Sequence, residues 1–271
     1  MTALQLIPPE ALIATGALFG CLIGSFLNVV AHRLPQMAVA DMEGRDAGLS
    51  LAFPASHCPK CAASLSWREN IPLVSFVLQR GRCQHCHAPI AWRYPLLEAL
   101  GAVWRLGFGP EGAFAAAALL ALLALAAIDL ETGLLPDRLT LPLLWAGLGL
   151  AAVGFGPAPE AAILGAGAGY LALEGLNGLC RLAIGRDGLG GGDAKLAAAL
   201  GAWVGAAALP AALLIAFTAG AVYGLSGRVL FKERPAEELP FGPWLAVGGA
   251  ILLLWPTIAD AFAVWLTLGR Y

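Results

Sequence analysis

Charge is what this sequence has least of. Of its 271 residues 13% are charged, against about 25% in ordinary soluble domains, while 59% are hydrophobic and the mean hydropathy is +0.76. A soluble domain of this length has no interior large enough for so much apolar surface, because most of its area must face water. Disordered chains are polar and charged, so disorder is excluded by the same figures. Length and pattern exclude collagen-like and small disulfide-rich folds. An excess of positive charge is missing too: the net charge is -2 and the pI near 6.1, which leaves no role for a nucleic-acid partner. What remains is an all-α polytopic membrane protein.

The scarce charges leave long uncharged runs at 11–31, 112–128, 139–159, 161–173, 196–227, 239–259 and 261–269. A membrane helix needs about 20 apolar residues. The run from Leu196 to Gly227 is too long for one crossing, and Pro210 with the small residues around Gly205 predicts that it folds back as two short helices. Pro95 to Gly109 is apolar apart from Glu98 and Arg105 and supplies another short crossing. The expectation is eight transmembrane helices, near 11–31, 95–109, 113–130, 139–156, 161–181, 194–207, 209–228 and 242–267.

Basic residues orient this arrangement. The connections 32–94, 131–138, 182–193 and 229–241, with the adjoining span ends, hold 14 of the 16 Lys and Arg; Arg105 and Arg270 fall elsewhere. Positive charge stays on the cytoplasmic side, so these connections are expected there and both termini on the periplasmic side. No Lys or Arg precedes Arg33, unlike the basic start of a cleaved secretory signal; residues 1–31 read as a retained first transmembrane helix.

One segment outside the spans is long enough to fold, 32–94, between helices 1 and 2. It carries all four His and four of the six Cys. The cysteines form two C-x-x-C pairs, Cys58/Cys61 and Cys83/Cys86, 21 residues apart, close to the spacing of a structural zinc site. In a segment with little core, a metal held by four thiolates replaces the missing hydrophobic stabilisation. Two disulfides, free thiols, a ligand set in which His57, His85 or His87 substitutes for a cysteine, and a three-ligand catalytic site are the alternatives, and a reducing cytoplasmic side disfavours the disulfides. Cys21 and Cys180 lie in apolar spans and read as core residues.

Ionisable groups in or beside membrane spans are costly and so are functional candidates. Asp129 ends the third span, at a helix C-terminus whose dipole disfavours an anion, and no capping role explains it. Asp137, after Pro136, fits a helix N-cap. Asp193 closes Gly188-Leu189-Gly190-Gly191-Gly192-Asp193 just before a helix. An N-cap explains it locally, but four glycines in five positions exceed what a cap needs and let the backbone move or approach something closely. Glu98 and Glu174 read as polar helix contacts. Asp129 and Asp193, at one membrane face on different helices, suggest a dyad that shares a proton and activates water.

Gly190-Gly191-Gly192-Asp193 with an upstream aspartate resembles the GxGD intramembrane aspartic proteases. The remaining motifs narrow the likeness: Gly24-Ser25-Phe26-Leu27-Asn28, His32-Arg33-Leu34-Pro35, the two C-x-x-C pairs around Trp67-Arg68-Glu69-Asn70-Ile71-Pro72, Trp92-Arg93-Tyr94-Pro95 with Glu98, Leu135-Pro136-Asp137, and Pro240-Phe241-Gly242-Pro243. In this order, over nearly the whole chain, they are similar to the bacterial type IV prepilin peptidases, bifunctional leader peptidases and N-methyltransferases. The resemblance implies a prepilin or pseudopilin substrate, of a type IV pilus or type II secretion system, in the inner membrane. It implies cleavage of the basic leader at the cytoplasmic face, then methylation of the new N-terminal amine by S-adenosylmethionine. It assigns catalysis to Asp129 and Asp193, zinc to Cys58, Cys61, Cys83 and Cys86, and, by position only, cofactor contacts to Gly24, Asn28, Asn70 and Glu98. The organisation implied is a first helix (1–31), a zinc-binding segment (32–94) and a peptidase core (95–271).

The sequence departs from the family where an aromatic residue often stands in Gly-x-Gly-Asp: here x is Gly191, which predicts a more flexible loop. The stretch Ala38 to Leu51 reads as irregular and has no assigned role, and no dinucleotide-type turn is visible for the cofactor. Two competing classes are a multipass transporter, which would more often show interrupted helices in two repeated halves, and a zinc-stabilised membrane scaffold, which leaves the paired aspartates unexplained.

Overall fold

The computed structural model describes residues 9–46, 48–92, 94–96, 98–99, 110–230, 240–258 and 261–262. Among these the regular structure is helical, with two isolated β-bridges, His57 to Ser64 and Arg82 to Pro89, and no strand. The chain divides into two compact units, Met1–Leu120 and Ala121–Tyr271. Two helices, over Phe114–Thr132 and Gly191–Ser226, are long and apolar enough to cross a membrane by length and composition. Of the expected second span only residues 95, 96, 98 and 99 are described, and Arg93, Arg105, Lys232, Arg234 and Arg270 lie outside the described residues.

In the first unit, α1 (Pro9–Met42) does not stop near residue 31 but continues through Pro35, so that Ala38 to Met42, expected to be irregular, is helical. The extension is pinned by Arg33. Its guanidinium is buried and donates to the carbonyls of Ser50 (2.8 Å), Leu51 (3.4 Å) and Pro54 (2.6 Å), tying the returning loop to the helix. A buried cation survives there because those carbonyls replace its water. A 3-10 turn (Trp67–Asn70) and the short α2 (Val74–Leu78) follow.

The second unit is built on close helix approach. Helix α3 (Pro110–Thr132) crosses from the first unit into it, and α4 (Asp137–Ala152), α5 (Pro159–Ile184), α6 (Gly191–Leu230) and α7 (Gly242–Leu254) follow. Gly165 of α5 meets Gly201 of α6 backbone to backbone, and Gly169 meets Ala197. The partner number falls by four as the glycine number rises by four, so the helices run antiparallel through facing small-x-x-x-small stripes, which let backbones close when Cβ atoms would hold them apart. Trp203 locks α6 to α4: its indole N–H donates to Leu143 O (2.8 Å) and its ring fills the gap left by Gly147.

Helix α6 bears out the expected break in the long apolar run. Gly205 has φ 80° and ψ 165°, a conformation that side-chain-bearing residues avoid, and the interruption falls at Gly205 rather than at Pro210. Adjacent Gly248 and Gly249 of α7 touch Ala212 and Leu200 respectively. A straight helix would hold those two about 18 Å apart at 1.5 Å per residue, so the two limbs of α6 fold towards each other around α7. Helix α7 is interrupted after Leu254, where Pro256 has no N–H with which to continue the ladder; residues 256–258 and 261–262 are helical again, and the rest of the span expected to 267 lies outside the described residues. On α5, Ile163, Leu164, Leu171, Leu179 and Leu182 point outwards, each more than 60% exposed.

Candidate active site

The last turn of α3 and the first turns of α6 and α7 bring the two singled-out aspartates into one cluster. Asp129 and Asp193 are both buried, 5% exposed each. Asp129 lies near the C-terminus of its own helix, where an anion is disfavoured, but its Oδ2 accepts the N–H of Gly242 (2.9 Å), the first residue of α7. The positive end of a second helix thereby offsets the negative end of the first. Asp193 is not an N-cap. It is the third residue of α6, and its Oδ2 reaches back to the N–H of Gly190 (2.9 Å), the acidic half of a capping box. Its other oxygen, Oδ1, is buried without a hydrogen-bond partner.

Leu135 stands between the two. Its Cβ lies against Gly192 and its Cδ2 against Gly242, where a methyl group would fall 2.7 Å and 3.1 Å away; the same methyl at Gly242 would fall 2.7 Å from Asp129 Oδ2. The carboxyls are close enough to interact electrostatically. Gly192 and Gly242 are thus glycines because Leu135 and Asp129 fill their side-chain space. Gly191 has open space beside it and begins the helix, so the expected loose loop at this position is already the first turn of α6.

Asp137 differs from expectation. Pro136 occupies the N-cap position without a side-chain bond, and Asp137, first in α4, turns to Lys195 Nζ at 2.6 and 2.7 Å. Residue 136 has no hydroxyl or carboxyl to offer, and an ammonium one turn into α6 is the stronger partner. Glu174 pairs with Arg181 (3.5 Å) on the exposed face of α5, and Cys21 and Cys180 are half-buried rather than core.

In the first unit the four cysteines meet, with all four sulfurs within 4.8 Å of one another. Cys58 Sγ and Cys86 Sγ are 3.8 Å apart. Tetrahedral geometry with Zn–S bonds of about 2.3 Å requires sulfurs about 3.8 Å apart, so the donor set fits zinc. The two pairs sit on matching turns. Cys58 N–H donates to Ala63 O and Cys83 N–H to Ala88 O (2.9 Å each), and the residue after each second cysteine, Ala62 and His87, has φ 57°. The Cys61 N–H, with that of Lys60, holds the Cys58 thiol down at about 7 against desolvation. At Cys86 the Ala88 N–H acts downwards too, but desolvation and the neighbouring thiols push the thiol up to about 11. No histidine joins the cluster. His85 Nε2 instead lies 3.5 Å from Glu69, whose carboxyl is held below the usual range by the Ser66 hydroxyl and N–H.

A third cluster lies between α1 and the segment after α2. Asn28 Nδ2 donates to Tyr94 O (3.1 Å) and Gly24 O (3.3 Å), and Asn28 Oδ1 is buried without a partner. Buried Glu98 accepts the N–H of Leu73 (2.8 Å) and a hydrogen bond from the Ser25 side chain. Asn70, exposed, ends the 3-10 turn three residues before Leu73. Gly24, Asn28 and Glu98 therefore gather, with Asn70 on the adjoining turn. Gly242, Leu135 and Asn177, which shape the aspartate cluster, were missed as site residues; the Pro240–Pro243 motif was the one signal that pointed at Gly242.

Residues 18–108, which contain the cysteine cluster, match the Bacterial Peptidase A24 N-terminal domain, and residues 116–225, which contain both aspartates, match the Type IV leader peptidase family. The chain is 46% identical over 277 residues to a Prepilin leader peptidase/N-methyltransferase of Burkholderia pseudomallei strain K96243, covering 95% of this chain and 90% of that one. It is 43% identical to the protein of the same name from Aeromonas hydrophila (92% and 91% covered) and 40% identical to that of Pseudomonas aeruginosa PAO1 (91% of each). No solved structure matches it. On matches spanning nearly its whole length, the chain belongs to the type IV leader peptidase family.

Proposed function

We propose that this protein cleaves the basic leader from type IV prepilins or pseudopilins and methylates the new N-terminal amine, with Asp129 and Asp193 as the hydrolytic pair. The observation that carries the reading is a buried pair of carboxyls on different helices, each tied by Oδ2 to a helix-start N–H, with Asp193 Oδ1 left without a partner. One carboxylate accepts a proton from water as the water oxygen bonds to the scissile carbonyl carbon. The second carboxyl gives its proton to the carbonyl oxygen. The resulting gem-diol then collapses: one hydroxyl returns its proton to the second carboxylate as the C=O re-forms, the C–N bond breaks, and the proton held by the base passes to the leaving amine, which restores the pair. Low exposure keeps bulk water from the pair and strengthens its electrostatics.

For the second reaction S-adenosylmethionine supplies an electrophilic methyl group, and Gly24, Asn28, Asn70 and Glu98 would hold it. A buried carboxyl and an unpartnered amide oxygen suit a cofactor that carries cationic groups. Zinc held by Cys58, Cys61, Cys83 and Cys86 cross-links residues 32–94, a structural role with no open coordination position. We place the protein in the bacterial inner membrane as eight spans, with 32–94 and the aspartates at the cytoplasmic face and both termini periplasmic, in contact with the lipid bilayer. The charge distribution and the outward leucines of α5 support this.

Asp129→Asn and Asp193→Asn should each abolish leader cleavage in a folded protein, because a pair acting as a unit is lost when either member is lost. Methylation of a pre-cleaved pilin should survive in both. Cleavage and methyl transfer are measured on the same preparations, and near-normal cleavage by either variant overturns the peptidase mechanism.

A further inference from the structure

We propose that Asn177 is a positioning residue for leader cleavage, holding the glycine-rich loop so that Asp193 stays in register; the inference rests on Asp193 being catalytic. Asn177 lies on α5, 16 positions before Asp193, and is buried at 3% exposure. Its side chain makes three hydrogen bonds to the loop. Oδ1 accepts the N–H of Gly188 (2.8 Å) and of Leu189 (3.1 Å), and Nδ2 donates to Leu189 O (3.0 Å). The next residue, Gly190, donates its N–H to Asp193 Oδ2 (2.9 Å) and accepts from the Asp193 N–H at 3.0 Å. One amide on α5 is therefore joined to the aspartate carboxyl through two consecutive loop residues. The loop is held at two further points: Gly188 sits against Cys180, where a methyl would fall 2.7 Å from Sγ, and Asp187 pairs with Arg181.

Physical chemistry gives the clip its purpose. The run into α6 carries glycine at 188, 190, 191 and 192, which raises the backbone entropy lost on ordering, and no side chain at 188 or 190 can fix its conformation. A side chain with both a donor and an acceptor can hold a loop N–H and C=O together; leucine has the same size and neither group. Gly188 is exposed and Leu189 half-exposed, so on loss of Asn177 their backbone groups can turn to water. The fold then loses little while Asp193 loses its fixed position.

The test uses the full-length enzyme with a prepilin substrate and, separately, a pre-cleaved pilin. Asn177→Leu should lower kcat for cleavage roughly 10- to 100-fold, the scale of a misplaced reacting group, with KM, methyl transfer and the unfolding midpoint close to wild type. Wild-type kcat in Asn177→Leu overturns the inference. So does a parallel fall in cleavage, methyl transfer and unfolding midpoint, which marks a purely structural residue. If Asn177→Leu does not fold, Asn177→Ser, which keeps one hydroxyl, decides on the same criteria. Asp193→Asn is run alongside: normal cleavage there overturns the aspartate assignment itself, whereas an inactive Asp193→Asn beside a fully active Asn177→Leu overturns the inference alone.

Discussion

Replacing Gly242 with alanine adds one carbon atom at the most crowded point of the aspartate cluster. That carbon would lie 2.7 Å from Asp129 Oδ2, 3.1 Å from its Cγ and 3.1 Å from Leu135 Cδ2, well inside the usual approach of non-bonded heavy atoms, about 3.5 Å. Two effects oppose each other. Alanine favours a helix over glycine by up to about 1 kcal/mol, and on propensity alone the change would stabilise α7. Against it, the short Asp129 side chain clears the methyl only by rotating, which breaks the bond from the Gly242 N–H. A hydrogen bond to a charged group is worth about 1.5–3 kcal/mol. The clash wins by about 1–2 kcal/mol, and a displaced carboxyl costs the reaction about 10- to 100-fold. Gly242→Ala should therefore lower kcat for leader cleavage by that factor, with methyl transfer unchanged and stability slightly reduced. Gly191→Ala is the matched control: nothing lies within 4 Å of its added carbon, so activity should stay at wild type and stability should hold or rise. Cleavage kinetics and unfolding midpoints of the two variants decide it. Full activity in Gly242→Ala would refute the placement of Asp129 against the start of α7.

The cysteine cluster should bind one zinc per chain, measured by elemental analysis. Thiolate ligands compete with protons, so affinity should fall as pH falls, and full zinc occupancy in Cys58→Ser would rule the site out. Gly201→Ala drives a methyl into the carbonyl of Gly165 and should destabilise the protein by about 1–3 kcal/mol, whereas Gly178→Ala, with open space beside it, should hold or raise stability; equal unfolding midpoints would contradict the α5–α6 crossing. Asp137→Asn breaks a half-exposed pair with Lys195, worth about 1 kcal/mol or less, and should retain most of the cleavage activity; complete loss would show that the pair does more than tie α4 to α6. Single-cysteine reporters at 45 and 186 should be labelled from the cytoplasmic side and those at 111 and 270 from the other, and the reverse pattern would overturn the charge-based orientation.

Composition and spacing alone determined the helical class, the break in the run from Leu196 to Gly227 and the four-cysteine cluster, and singled out Asp129 and Asp193 as candidates. These are local or additive properties: apolar length sets a span, two C-x-x-C turns present thiols together, and a carboxyl beside a membrane span stands out wherever its partner lies. Tertiary structure alone decided what holds the aspartates in place. Gly242 meets Asp129 across 113 positions, Leu135 fills the gap against Gly192, and Asn177 grips the loop from the preceding helix. It also moved Asp137 from a cap to an ion pair and carried α1 on to Met42, where Arg33 holds the returning loop. None of these contacts has a period or a fixed spacing along the chain. Each depends on residues distant in the chain being brought within contact or hydrogen-bond reach, and that proximity exists only once the chain has packed.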